Sequence, residues 1–299
     1  MKLLVSGSNG LVGKALVTFI KAQGDTVVQL VRSKLPLKNG EVAWDPMKRV
    51  MLDASSLEGL DAVVHLAGEG IATGRWTPKK KEQIWKSRVE GTHFLSEVLC
   101  GLRQPPKTFL CASAIGFYGD RGDEILVENS APGNSFLSKV CQDWERATEQ
   151  VVKNGIRIVN LRFGLILSNK GGALDKMLFP FRLGLGGKIG SGRQYMSWIA
   201  LDDVIQVIQH ALSTDILQGP INVVAPNPVT NLEFTKTLGR VLYRPTIFSM
   251  PAFAARLAFG EMADELFLAS TRVQPLQLLK SHYSFNHPEL EEAIRSLID

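Results

Sequence analysis

Ser135 and Lys139 stand four residues apart in the stretch NSFLSKVCQDWE. Four residues make one helical turn, so a hydroxyl and an ammonium share a face. Lys139 can hold a ribose or a substrate oxygen. A serine hydroxyl is too weak an acid to run proton transfer without a base of its own. The same stretch sets Leu137, Val140, Cys141, Trp144 and Ala147 on one side and Ser135, Lys139, Gln142 and Arg146 on the other. That division describes a solvated helix face as well as the floor of a polar cleft. Tyr118 is the nearest phenol, in a loop opened by Ser113 just past the strand Thr108 to Ala112. Ligands of open α/β folds bind beyond the carboxyl ends of strands. Tyr118 is therefore a candidate proton donor or a loop anchor, and Ser113 a candidate contact to substrate or cofactor.

A second cluster does different chemistry. GSNGLVG, with Gly7, Gly10 and Gly13, lies where a strand ends and a helix begins. Glycines there permit a tight turn and close approach of backbone to a pyrophosphate, while the helix N-terminus offers free N–H groups. The spacing is GxxGxxG rather than GxGxxG. Gly7, Asn9, Gly10, Leu11 and Val12 are the dinucleotide-facing residues expected here. The second strand then ends QLVRS. An acid at this point would bond the ribose 2′-hydroxyl of NAD. Arg32, followed by Ser33, suits a 2′-phosphate instead, so the expected cofactor is NADP(H).

These groups need a scaffold, and the pattern supplies one. Strands are predicted at Lys2 to Ser6, Thr26 to Val31, Asp61 to Leu66, Thr108 to Ala112, Ile156 to Leu161 and Ile221 to Val224. Helical periodicity covers Leu11 to Ala22, Pro78 to Leu102, Phe136 to Val152, Asp203 to Leu212, Asn231 to Leu242 and His287 to Leu297. The alternation predicts an α/β fold, a Rossmann-like doubly wound parallel sheet with a smaller C-terminal substrate lobe. The expected division is 1–166 for the dinucleotide-binding part, with 197–225 returning to it, and 167–299 for the lobe. The glycine-rich run from Gly184 to Gly192 and the following Arg193, Gln194 and Trp198 would frame a polar, anionic or sugar-like substrate.

The 299 residues are 45% hydrophobic and 21% charged, with a formal charge of +5. The positive charge is scattered, which argues against a nucleic-acid partner and suits a phosphate-bearing small ligand. Three cysteines with no CxxC and five histidines with no HExxH give no expectation of a metal or a disulfide framework. The apolar start MKLLV is too short for a signal peptide or a membrane span, so no membrane partner and a cytoplasmic location are expected. Oligomeric state is not legible.

The chain resembles the extended short-chain dehydrogenase/reductase superfamily, its nucleotide-sugar epimerase and dehydratase group. The residues that carry this are GSNGLVG, HLAG at His65 to Gly68, SAIGFYG at Ser113 to Gly119 and WIALDDV at Trp198 to Val204. It is more closely similar to an atypical branch with LAGEGI, LRFGLILS, PFRLGLGGKIGSGRQ and MPAFAARLAFG, whose members are called epimerase family proteins and sometimes cell-division inhibitors. The resemblance implies that Leu66, Ala67 and Gly68 line the adenosine and pyrophosphate. It also implies that Arg88 reaches the cofactor and that Phe163 closes near the nicotinamide. The superfamily carries Tyr-x-x-x-Lys where this chain has Ser135 and Lys139, so the usual catalytic tyrosine is missing. Two functions stay open: an NADP(H)-dependent oxidoreductase or epimerase-like enzyme with other acid/base groups, and a non-catalytic NADP-binding sensor or regulator.

Overall fold

The computed structural model describes residues 1–32 and 36–298. Its centre is an eight-stranded sheet: β1 Lys2–Ser6, β2 Thr26–Val31, β3 Glu41–Asp45, β4 Val50–Met51, β5 Ala62–His65, β6 Thr108–Ala114, β7 Arg157–Phe163 and β8 Gly219–Val223. The order across the sheet is β8-β7-β6-β5-β1-β2-β3-β4. All neighbours are parallel except β3 and β4. The chain runs outward from β1 to β2 and then crosses to β5 on β1's other side. The crevice between β1 and β5 is thus the topological switch point, where such sheets take ligands.

Alternation along each strand feeds two cores. In β1, Leu3 and Val5 face a cluster with Leu16, Ile20, Val204 and Ile208, while Leu4 faces one with Phe94, Leu95, Leu99 and Trp144. The first cluster is closed by α1 Leu11–Ala22 and a later helix, Leu201–Ser213; the second by α2 Pro78–Cys100 and α3 Phe136–Arg146. Two further helices are α4 Gly172–Arg182 and α6 Asn231–Val241, with Leu201–Ser213 between them as α5. α7 Ala252–Phe259 and α8 Leu290–Ile298 follow near the C-terminus.

Most predicted elements stand within a few residues of the observed ones. Strands β3 and β4, beyond β2, were not expected. The predicted helix Phe136 to Val152 divides, α3 ending at Arg146 and a short helix resuming at Glu149–Lys153. Among the described residues no helix is long and apolar enough to cross a membrane. The C-terminal segment is tied down by a buried carboxylate. Asp203, in the first turn of α5, accepts the N–H groups of Asn286 and His287 at 2.8 and 2.9 Å and the Tyr283 hydroxyl at 3.1 Å.

Ser6 and His65 end β1 and β5 in register. Ser6 Oγ lies 2.6 Å from His65 Nδ1 and accepts the N–H groups of Leu66 and Ala67 at 3.1 and 3.2 Å. With two donors arriving, the hydroxyl gives its own proton to Nδ1, so the imidazole is neutral with its hydrogen on Nε2. That Nε2 has no hydrogen-bond partner. Trp44 and Phe109 pack around the ring, and burial pushes the His65 pKa down to about 3.

A pH dependence follows. An unfolded histidine takes up a proton below about 6.5, whereas the folded one does not. Stability from this site is complete above that pH and is lost as pH falls toward 3. Urea titrations across the window should show wild-type stability declining with a contribution of about 1 kcal/mol per pH unit that His65→Gln removes. Parallel declines in the two proteins would show that His65 does not hold this depressed pKa.

Candidate functional site

The glycine loop is built for an anion. Gly7 adopts φ +67°, and a Cβ there would meet the Leu66 backbone at 2.7 Å, so the β1 and β5 turns touch through a residue without a side chain. Gly13 is closed against Gly7 O at 2.2 Å in the same sense. Gly10 is the N-cap of α1, and no side chain caps that terminus. Asn9 and Gly10 are exposed, with Leu11 and Val12 half-buried beside them. The first N–H groups of α1 therefore face outward at the positive end of the helix dipole. Ser8 is buried beneath them, and its Oγ has no partner.

Across the crevice stand Leu66 and Ala67, held by Ser6, and then Gly68. Arg88, from α2, packs so closely that a Cβ on Gly68 would lie 3.2 Å from its guanidinium carbon. One Arg88 nitrogen donates to the carbonyls of Glu69 and Ile84, and the Trp144 ring lies 5.1 Å from the guanidinium. Among the described residues no carboxylate pairs with Arg88, and burial draws its pKa below the usual arginine range. A partly buried cation without an acid, beside a helix N-terminus, fits the phosphates of a dinucleotide. Arg32 is exposed past the end of β2, near enough to Glu69 to help hold that carboxyl below its usual range, after the larger effect of the Lys80 ion pair. Ser33 lies outside the described residues. Phe163 is half-buried at the end of β7, one residue before Gly164, where a Cβ would strike Ser197 O at 2.6 Å.

The expected acid/base groups are placed differently. Tyr118 is fully buried (0% exposed). Its hydroxyl donates to Asn222 Oδ1 at 2.7 Å and accepts from Arg162 at 2.9 Å. Burial raises its pKa. This is the loop anchor, and its proton is out of a substrate's reach. Ser113 is buried too, its Oγ donating to Glu145 at 2.7 Å. Glu145 is in turn clasped by two nitrogens of Arg162, each at 2.8 Å, and the Arg162 guanidinium lies 3.5 Å from the centre of the Phe117 ring. Ser113, Tyr118, Glu145 and Arg162 thus form one closed network under the cleft.

Ser135 is the N-cap of α3, its Oγ accepting from Ser138 N–H. The same hydroxyl donates to Glu265 Oε2 at 2.8 Å. That carboxylate also accepts the N–H groups of Phe136 at 2.9 Å and Leu137 at 3.3 Å. Glu265 comes from a π-helical turn, Asp264–Leu268, far along the chain. A carboxylate thus occupies the N-terminus of α3. Lys139 is exposed one turn on.

In the substrate lobe, Trp198 is fully buried and donates to Asn227 O. Gln194 is buried and holds the carbonyls of Ile189 and Phe267, each at 2.9 Å. Both are framework rather than contact surface. Arg193 is exposed. Sequence reasoning missed Glu145, Arg162, Glu265 and the role of His65. Arg162 and Glu145 could have been flagged as opposite charges on buried elements; nothing local announces Glu265.

Removal of Glu265 strands one hydroxyl and two N–H groups. Glu265→Ala should lower stability by about 2 kcal/mol, with Glu265→Gln intermediate. Denaturant midpoints at constant slope check this, and an unchanged midpoint in the alanine variant would exclude the latch.

Comparison with known proteins agrees with this geometry. The NAD dependent epimerase/dehydratase family profile matches residues 3–224, and a domain of unknown function matches residues 250–297. A Mycobacterium bovis protein, Epimerase family protein Mb2239, is 40% identical over 97% of this chain and 95% of its own. The human epimerase family protein SDR39U1, solved with NADPH, superposes with a TM-score of 0.91 at 34% identity over 99% of each chain. A nucleoside-diphosphate sugar epimerase from Corynebacterium glutamicum superposes at 0.82 with 38% identity, covering all of this chain but 58% of that one. By the extent of the family match and the end-to-end relatives, the chain belongs to the NAD dependent epimerase/dehydratase family, among the proteins called epimerase family proteins.

Proposed function

We propose that this protein binds NADP(H) and acts as an oxidoreductase or epimerase-like enzyme on a small anionic or sugar-like substrate. The observation that carries the reading is the anion cradle: an uncapped α1 N-terminus, the Gly7 and Gly68 turns, and Arg88 with no carboxylate partner among the described residues. NADPH in the human relative supports it, as does the name of the Corynebacterium protein for a sugar substrate. Backbone N–H groups of residues 10 to 12 would hold the pyrophosphate, Arg88 its flank, and Arg32 the 2′-phosphate. When bound, the nicotinamide supplies or accepts a hydride. Of the three acid/base candidates, Lys139 is the one that reaches solvent, and it is assigned the ribose or the substrate oxygen. Arg193 is the lobe residue left free to meet an anion. The lobe from residue 167 onward would face the substrate, and 1–166 with 197–225 would carry the cofactor.

One observation favours a second reading. The Ser135 hydroxyl is closed onto Glu265, and no phenol lies in its place. A protein that binds NADP(H) without turnover, as a sensor or regulator, would look like this. Incubation of 4-deuterated NADPH with a panel of aldehydes, ketones and keto-sugar nucleotides, and of NADP+ with nucleotide sugars deuterated at their carbinol carbons, separates the two. Deuterium in a product, read by mass spectrometry, supports the enzyme; tight binding with no transfer across the panel favours the sensor.

Two variants test the cradle. Arg32→Ala should weaken NADPH by roughly tenfold or more and leave NADH nearly unchanged, measured by fluorescence titration. Equal losses for both would remove the 2′-phosphate role. A side chain at Gly10 would start 3.2 Å from Gly7 O and extend into the cradle. Gly10→Val should therefore abolish binding of both dinucleotides while keeping the circular dichroism of the fold; normal binding would refute the cradle itself.

A further inference from the structure

The C-terminal part of the protein carries a surface that the cofactor site does not use. Residues Gly187–Ile189 pair in parallel with Phe248–Met250. Arg244 donates to Arg182 O at 2.8 Å, and Gly190 N–H to Met250 O at 2.8 Å. The Arg244 guanidinium and the backbone bonds thus join the end of α4 to the approach to α7. Along these joined segments Phe179, Leu183, Leu185, Ile247, Phe253 and Leu257 are each between 57% and 80% exposed. Phe179 and Leu183 are one turn apart on α4, as Phe253 and Leu257 are on α7, so each pair shares a helix face. Apolar side chains gathered in this way mark an interaction surface rather than scattered exposure.

Charge selects the partner. Residues 176–190 and 240–257 contain Lys176, Arg182, Lys188, Arg240, Arg244 and Arg256 and no acid; Asp175 and Glu261 flank them. Arg240 and Arg256 are paired with Glu291 and Asp264. Among the described residues the other four have no carboxylate within ion-pair distance. A second copy of the chain would bring four more unpaired cations to this face, where the acids at hand, Glu291 and Asp264, are already paired. Protruding Phe, Leu and Ile among Lys and Arg match the acyl boundary and headgroups of an anionic bilayer. The expectation of no membrane partner rested on the lack of a span, which peripheral contact does not need.

We infer that the face built from α4, Gly187–Ile189, Phe248–Met250 and α7 docks peripherally on an anionic lipid surface. The test is cosedimentation of the full chain with vesicles of phosphatidylcholine alone and with about one-third phosphatidylglycerol, at low and high salt. Binding to the anionic vesicles at low salt, weakened by salt, is expected. The double variant Phe253→Ser with Leu257→Ser should bind roughly 30-fold more weakly or worse. Lys188→Glu should bind roughly tenfold more weakly. Both should keep wild-type NADPH affinity and thermal midpoint. If the double variant fails to fold, Phe179→Ser takes its place. Absence of wild-type binding at low salt, or equal binding by the variants, overturns the inference. A wild-type dimer that the apolar variants dissolve also overturns it, assigning the face to copies of the chain.

Discussion

The hydrogen bond between Ser6 and His65 sets the geometry on which the cofactor crevice depends. It joins the ends of the two strands that flank the switch point. One hydroxyl oxygen gathers a histidine nitrogen and two backbone N–H groups, so the turn after β5 is fixed before any ligand arrives. Gly7 then approaches that turn closely enough to exclude a side chain. The arrangement requires a neutral imidazole, and burial among Trp44 and Phe109 supplies one. The orphaned Nε2–H is the cost of placing a polar ring in an apolar layer.

A second buried network does for the other side of the cleft what His65 does for the first. Arg162 spans Glu145, Tyr118 and the Glu128 carbonyl. Its guanidinium is nearly saturated, and both of its main partners are themselves bonded again, Glu145 by Ser113 and Tyr118 by Asn222. A buried ion pair of this kind contributes little net stability compared with apolar packing, yet removing one partner leaves an uncompensated charge. Its effect is geometric. It fixes the loop after β6 against β7 and β8, and it draws in the two side chains, Ser113 and Tyr118, that would otherwise line the cleft.

What was legible in the sequence followed from local rules. Short apolar and β-branched runs, the glycine turn and the arginine after β2 each announce themselves within a few residues. β3 and β4 escaped because Glu41–Asp45 and Val50–Met51 are short and interrupted by charge, and their strand state comes from pairing with β2. Tyr118 stayed open between proton donor and loop anchor because position past a strand end predicts a neighbourhood, whereas the direction of a ring depends on a guanidinium 44 residues away. Trp198 and Gln194 were read from a glycine-rich context as contact residues, although their polar atoms are spent on carbonyls of the lobe. Glu265 was invisible for the same reason in stronger form: its partners lie about 130 residues upstream.

That long reach explains how the C-terminal segment bears on the cleft. A helix N-terminus left open at α3 would be a second anion site beside the first. Glu265 fills it from within the chain, satisfying Ser135, Phe136 and Leu137 together. Lys81 grips Glu261 four residues earlier, tying the start of α2 to the same segment. The Ser135 hydroxyl is thus spent on fastening the C-terminal segment, its proton held by Glu265. With that hydroxyl engaged, Lys139, one turn along the same helix, faces solvent.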